Sequence, residues 1–292
     1  MLYQLIRDEI LRTYEAAKKT YENIKFSLEE AYVIGSGDSY AAALIIQGVT
    51  NNKFIALDPY EAQFSIKPHK VYVVVSVSGK TRENIELAIK VRESGGKVIA
   101  ITANPKSKLA QKASEIISID YSPQNLPIPG TLSFTLSLIA LYALANLDVD
   151  FKKLKNPELK ALKGLEPIFI GTLGGYGVAY YSALKFYEVF GSKARFERTE
   201  QFCHATIFSV RENDQVIFYP SDNDRRAREV VEAISEKYNL VIYDRCEKHM
   251  KHLCQIVDFQ TSLAEYIKEL GLEKPYFTIA KGVLDVSSSL IY

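Results

Sequence analysis

Val71-Tyr72-Val73-Val74-Val75-Ser76-Val77-Ser78-Gly79-Lys80-Thr81 is the stretch on which the reading of this 292-residue chain turns. Its first five residues are apolar and follow Pro68, the mark of a short strand buried on both faces. Residues 81–94 read as a helix, with Ile85, Ala88 and Ile89 on one face and Gly95-Gly96 as its stop. Between strand and helix lie three hydroxyls, Ser76, Ser78 and Thr81, and one glycine, Gly79. A strand, a hydroxyl-rich turn and a helix N-terminus together form an anion site. The first N–H groups of a helix lack intrahelical partners and carry the positive end of its dipole. Gly79 lets backbone approach the anion, and the hydroxyls can donate to its oxygens. A plain helix cap by Ser78 or Thr81 accounts for the same residues taken alone.

Working outward, the pattern repeats. Residues 2–23 read as a helix. Ala31-Tyr32-Val33-Ile34 leads into Gly35-Ser36-Gly37-Asp38-Ser39 and a helix over 39–48, a second turn of the same kind. Short apolar runs recur at 53–57, 98–101 and 116–119. Short, wholly apolar strands alternating with helices predict an α/β fold with a parallel sheet covered on both faces. Residues 151–166 are charged, contain Pro157 and precede Pro167, so they read as a linker between 1–150 and 167–292. The pattern then restarts. Tyr32-Val33-Ile34-Gly35-Ser36 with Tyr40 and Ala43 aligns, at a constant offset of 136, with Ile168-Phe169-Ile170-Gly171-Thr172 with Tyr176 and Ala179. Further strands are expected at 216–219, 240–243 and 255–257, and helices at 225–238 and 262–270.

Bulk properties narrow the function. Thirty-six Lys and Arg against 35 Asp and Glu give a net charge of +1, with no basic run, so no nucleic-acid partner is expected. The longest apolar stretch, 132–147, is interrupted by Ser133, Thr135, Ser137 and Asn146 and reads as a buried helix, not a membrane span. The N-terminus lacks the features of a signal peptide. Three cysteines make no disulfide framework, which points to reducing cytoplasm. Cys246, His249, His252 and Cys254 have the residue types of a zinc site, but their spacing fits no finger; an ordinary loop and edge strand is expected, with no metal and no cofactor. Gly35-x-Gly37 has Tyr40 where a dinucleotide fingerprint needs its third glycine.

Gly37-Asp38-Ser39-Tyr40, followed about 37 residues later by Ser76-Val77-Ser78-Gly79-Lys80-Thr81, resembles the sugar isomerase (SIS) family. Asp58-Pro59-Tyr60-Glu61 falls where that family often has an acidic residue after its second strand, and Asn104-Pro105-Lys106-Ser107-Lys108-Leu109 resembles its loop after the fourth strand. Ala183-Leu184-Lys185-Phe186-Tyr187-Glu188 resembles a helix of double-SIS enzymes, and His204 lies 16 residues beyond Glu188, the family's spacing for its catalytic pair. The resemblance implies two tandem SIS domains, each a flavodoxin-like αβα sandwich. It implies a phosphorylated sugar at Gly37, Asp38, Ser39, Ser76, Val77, Ser78, Gly79 and Thr81. Glu188 would move a proton between C1 and C2 and His204 would open the sugar ring, in a homodimer with a composite site. The helix style favours a glucosamine-6-phosphate deaminase-like activity; phosphoglucose/phosphomannose isomerase and a non-catalytic regulator are the alternatives. Departures from the family bear on this. Ala205 stands where a glycine is usual, Pro129-Gly130-Thr131 lacks the arginine of the phosphoglucose/phosphomannose enzymes, and the C-terminal lysine of the aminosugar synthases is missing. With neither a glutaminase domain nor Cys at position 2, amidotransfer from glutamine is not expected. Tyr219-Pro220-Ser221-Asp222 replaces a second phosphate loop, so one phosphate site per chain is expected, in the first half.

Overall fold

The apolar runs are strands, and every pairing between them is parallel. In the computed structural model, which describes residues 1–124 and 126–292, the first half holds α1 (Leu2–Asn23), β1 (Ala31–Ile34), α2 (Asp38–Val49), β2 (Phe54–Leu57), α3 (Pro59–Ala62), β3 (Val71–Val75), α4 (Arg82–Glu93), β4 (Lys97–Thr102), α5 (Lys108–Lys112), β5 (Glu115–Ser118) and α6 (Leu132–Leu144). After a 3-10 turn at Phe151–Leu154 come β6 (Ile168–Gly171), α7 (Gly174–Phe190), β7 (Arg195–Arg198), α8 (Thr199–His204), β8 (Gln215–Tyr219), α9 (Arg225–Ile234), β9 (Asn239–Ile242), α10 (Met250–Glu269), α11 (Tyr276–Ile279) and α12 (Lys281–Ile291).

Two compact units divide the chain: residues 12–125, 132–149 and 280–292 form one, and residues 1–11, 126–131 and 150–279 the other. The first contains a five-stranded sheet in the order β2-β1-β3-β4-β5. Val33 pairs with Val73 and Val75 with Ile101, so β3 is flanked on both sides. One face of this sheet packs Tyr72, Val74, Val98 and Ala100 against Leu87, Ala88 and Val91 of α4. α6 is buried along its whole length, as a helix apolar on all sides must be, and packs on α2. The buried stripe of α4 is Asn84, Leu87, Ala88 and Val91, which corrects the expected face: Ile85 and Ile89 are only part-buried. The stripe i, i+3, i+4, i+7 starts one residue earlier, at a polar residue whose amide bonds to the Val75 carbonyl at 3.3 Å.

The second unit has a four-stranded sheet in the order β7-β6-β8-β9, the arrangement of β2-β1-β3-β4 over again. Ile168, Ile170, Val216 and Phe218 pack against Phe202, Ala227, Val230 and Ile234. Phe169 meets Phe186, Tyr219 and Phe259 at ring distances of 5.3, 6.3 and 5.8 Å. Three expectations fail here. Residues 255–257 are not a strand but lie inside the 20-residue α10, which also absorbs the helix expected over 262–270. The helix expected over 225–238 stops at Ile234. And Cys246 and Cys254 are joined in a disulfide, because the turn into α10 brings their Cα atoms to 6.1 Å; Cys203 is free. Two of the four residues of zinc-like type are therefore bonded to each other, and the cysteine count no longer argues for a reducing compartment. Among the described residues no helix is long and apolar enough to cross a membrane.

Candidate functional site

The order of the five-stranded sheet makes β1 and β3 neighbours whose onward connections run to opposite sides, the switch point at which open α/β sheets take ligands. The turns after these strands carry Gly37, Asp38 and Ser39 on one side and Ser76, Val77, Ser78, Gly79 and Thr81 on the other, so both predicted groups lie side by side at the carboxyl edge of one sheet.

The 76–81 turn is rigidly built. Ser76 N donates to the Ile101 carbonyl at 3.0 Å, and the Val77 carbonyl accepts from Ala103 N and Thr102 Oγ1 at 3.0 and 3.1 Å. Gly79 has φ +63°, and a Cβ there would lie 2.1 Å from Ser107 Oγ, so only glycine fits. Its N–H donates back to Ser76, and its carbonyl accepts from Leu109 N at 3.1 Å. The hydroxyls decide between a cap and an anion site. Thr81 stands at the N-cap of α4, yet its side chain makes no capping bond; its Oγ1 lies 3.2 Å from Ser76 Oγ. Ser78 Oγ accepts from Lys80 N at 3.2 Å, within the turn itself. Among the described residues no side-chain capping bond closes the N-terminus of α4, and the turn that leads into it carries three hydroxyls. By contrast Asp58 and Ser107 are genuine caps, accepting from the first N–H groups of α3 and α5. Gly79-Lys80-Thr81 does match the end of a Walker loop, but the opening glycine of that pattern is Val74, inside β3.

The other turn needs its glycines as well. A Cβ on Gly35 would lie 2.5 Å from the Ser39 carbonyl carbon, and Gly37 has φ +54° and ψ −123° at the N-cap of α2. The second unit reproduces this backbone at the same offset. A Cβ on Gly171 would lie 2.1 Å from the Gly175 carbonyl oxygen, and Leu173 has φ +52° and ψ −122° at the N-cap of α7. The chemistry is not reproduced. Ser221 Oγ donates to the Thr172 carbonyl at 2.6 Å, and the Tyr219 carbonyl approaches Gly175 so closely that a Cβ there would lie 2.0 Å from it.

Glu188 and His204 both belong to the second unit. Glu188 is half-buried near the end of α7, and its Oε2 accepts from Lys185 Nζ at 2.6 Å. Lys185 itself has no exposed side-chain surface. Sequence reasoning missed it; a lysine between Ala183 and Phe186, three residues before an acid, is the available signal. His204 closes α8 with its side chain 69% exposed, its Nε2 3.0 Å from Glu200 Oε1. Glu200 also accepts from Arg226 Nε at 2.7 Å, and these two partners, Arg226 first, hold its carboxyl below the usual range.

Residues 27–147 match the family described as SIS domain. That segment belongs to the SIS-domain family. The chain is homologous to the isomerase domain of glutamine–fructose-6-phosphate aminotransferase: with the enzyme of Oceanobacillus iheyensis it shares 24% identity over 256 residues, 73% of this chain and 42% of that one. The chain thus spans less than half the length of that relative. Its fold is that of glucosamine-6-phosphate deaminase from Thermotoga maritima (TM-score 0.69, 15% identity, 89% of this chain and 94% of that chain). It is also that of tagatose-6-phosphate ketose/aldose isomerase from Escherichia coli (TM-score 0.67, 14% identity, 90% and 93%).

Proposed function

We propose that this SIS-domain protein is an enzyme that moves a proton between C1 and C2 of a hexose 6-phosphate or hexosamine 6-phosphate, with deamination of an aminosugar phosphate as the favoured outcome. The observation that carries the reading is the 76–81 turn, whose hydroxyls border an uncapped helix N-terminus instead of capping it. In this reading phosphate is held by Ser76, Ser78, Thr81 and the backbone at Val77 and Gly79, with Gly37, Asp38 and Ser39 completing the substrate contacts. Glu188 is the carboxylate that takes the proton from one carbon and returns it to the other, the task of a positioned general base. Lys185 holds that carboxylate. His204 opens the cyclic sugar, a step suited to a group titrating near neutrality. Phosphate contacts remote from the reacting carbons supply positioning, which lowers the barrier when the bound geometry is productive. The repeated strand order and the paired backbone at Gly37 and Leu173 support a second SIS domain over 167–292, in tandem with the one in 1–150. Exposed His204 and, close by in sequence, Phe208 at 86% exposure support a homodimer in which this segment completes the neighbouring subunit's site.

The test is incubation with fructose 6-phosphate, glucose 6-phosphate, mannose 6-phosphate and glucosamine 6-phosphate, following ketose formation and ammonia release. Turnover that disappears in Glu188→Gln is the expected result. Ammonia release distinguishes the deaminase from a phosphoglucose/phosphomannose isomerase. A second reading, a non-catalytic sensor of phosphorylated sugars, is favoured by the solvent-facing His204. Thermal stabilisation by one of these sugars without turnover would select it.

A further inference from the structure

α7 carries more polar groups on its buried side than a core helix needs. Tyr181, Ser182 and Lys185 are all inaccessible to solvent, and Tyr181 and Lys185 stand four positions apart, which places them on one face. The Lys185 ammonium lies 5.2 Å from the centre of the Tyr181 ring and donates to Glu188 Oε2 at 2.6 Å. A buried ammonium is costly even beside a carboxylate, and the face of an aromatic ring stabilises it most effectively where water is excluded.

The ring is itself anchored. Tyr181 OH donates to the Gly130 carbonyl at 2.6 Å and lies 3.0 Å from Gln260 Nε2, a donor. The same Gln260 Nε2 donates to the Thr131 carbonyl at 3.1 Å, and Thr131 Oγ1 donates to Glu9 Oε2. Glu9, Thr131 and Gln260 have no exposed surface. Two segments, the 130–131 strip and α10, therefore meet on one phenol, with α1 bracing the strip through Glu9, and every residue named belongs to the same compact unit. Because the Gly130 carbonyl can only accept, the phenol must donate to it and accept from Gln260, which fixes the direction of the whole chain of bonds.

We propose that Tyr181, held by Gln260 and by the Glu9-braced 130–131 strip, is a positioning residue that fixes the Lys185 ammonium against Glu188. The catalytic consequence rests on the reading of Glu188 as the base; the positioning itself does not. Without the phenol's two bonds the ring loses its fixed tilt, Lys185 samples other rotamers, and Glu188 loses a constant partner.

Nitrogen-15 NMR of the lysine ammonium groups tests this without any substrate. The wild type should show one slowly exchanging ammonium signal that vanishes in Lys185→Gln. In Tyr181→Phe, which keeps the ring and drops the hydroxyl, and in Gln260→Met, its exchange with solvent should quicken on the order of tenfold, the size of effect expected from a desolvated cation–π contact. The backbone amides of α7 should keep their protection, which a merely destabilised variant would not show. If either variant fails to fold, the other decides. An unchanged exchange rate in the folded variants, or no protected Lys185 signal in the wild type, overturns the proposal. Where the wild type turns over one of the sugars above, both variants should lower kcat by a similar factor and leave KM within about twofold, the pattern of an interaction felt after binding. A wild type inactive on all of them would sink the catalytic reading and leave the NMR result standing.

Discussion

Leu173 and Gly37 share one backbone conformation but not one residue type, and the difference is measurable. At φ near +53° and ψ near −122° a side chain is strained, at a cost of about 1–3 kcal/mol. Leu173 is 52% exposed, so its replacement gives up little burial. Leu173→Gly releases the strain and returns about 0.5–1 kcal/mol of it through a looser unfolded chain. The net expectation is stabilisation by about 1 kcal/mol in chemical denaturation. Gly37→Ala should lose a similar amount from backbone strain alone, since nothing lies within 4 Å of the added Cβ. Equal stability of Leu173→Gly and wild type would show that the local backbone is relaxed. At this scale the sequence was legible where residue type and conformation agree, as at Gly79 in its turn. It was silent at Leu173, because a leucine gives no sign that it occupies a glycine's conformation. Lys185 was half hidden: apolar neighbours and an acid three residues on hint at a partnered lysine, but only the structure shows that it is fully buried.

At the scale of elements, α10 is where the reading of the chain failed, for a physical reason. It is buried on nearly all sides, yet Gln255, Asp258, Gln260 and Ser262 interrupt its apolar residues, so only the short run Gln255-Ile256-Val257 stood out and looked like a strand. Those polar residues are tolerated because each has a partner: Asp258 takes the Arg245 guanidinium at 2.8 Å, and Gln255 Nε2 donates to the carbonyls of Pro220 and Tyr243. Gln255 Oε1 is left to accept from His252 Nδ1 at 2.8 Å, which assigns the histidine's proton to that nitrogen. Burial, above all, pushes the His252 pKa down to about 4. The unfolded chain therefore binds a proton near pH 6.5 that the folded one refuses until about pH 4. Stability from this group is complete above about pH 6.5 and falls with pH through that window, by on the order of 3 kcal/mol. Burial raises Asp258, whose effect has the opposite sign, with stability lost as pH rises from the ordinary carboxylate range. Comparison with His252→Gln isolates the histidine: its stability should vary less between pH 6.5 and 4 than the wild type's. Identical pH profiles would mean that His252 is protonated in the fold.

At the scale of the whole chain, the 136-residue offset announced the repeated β6-to-α7 turn, and the strand orders repeat with it. The make-up of the compact units was not legible, since residues 1–11, 126–131 and 280–292 differ in no obvious way from their neighbours in sequence and only long-range contacts assign them. What the repeat leaves unequal is the ligand chemistry: hydroxyls around an open helix N-terminus after β3, and a serine already bonded to the Thr172 carbonyl after β8. A phosphorylated ligand should therefore stabilise the protein through the first turn alone. A ligand that binds only the folded state at a hundred times its Kd adds about 2.7 kcal/mol. Fructose 6-phosphate at saturating concentration should raise the unfolding temperature by several degrees, by about 2–4 °C for each kcal/mol in a chain approaching this size. Inorganic phosphate should raise it less, and unphosphorylated fructose not at all. Ser78→Ala should weaken the response to both phosphate compounds together, because it removes a hydroxyl from the turn they share, whereas Ser221→Ala should leave the response unchanged. If fructose alone matched fructose 6-phosphate, the anchor would be the sugar and not the phosphate, and the assignment of the 76–81 turn would fall.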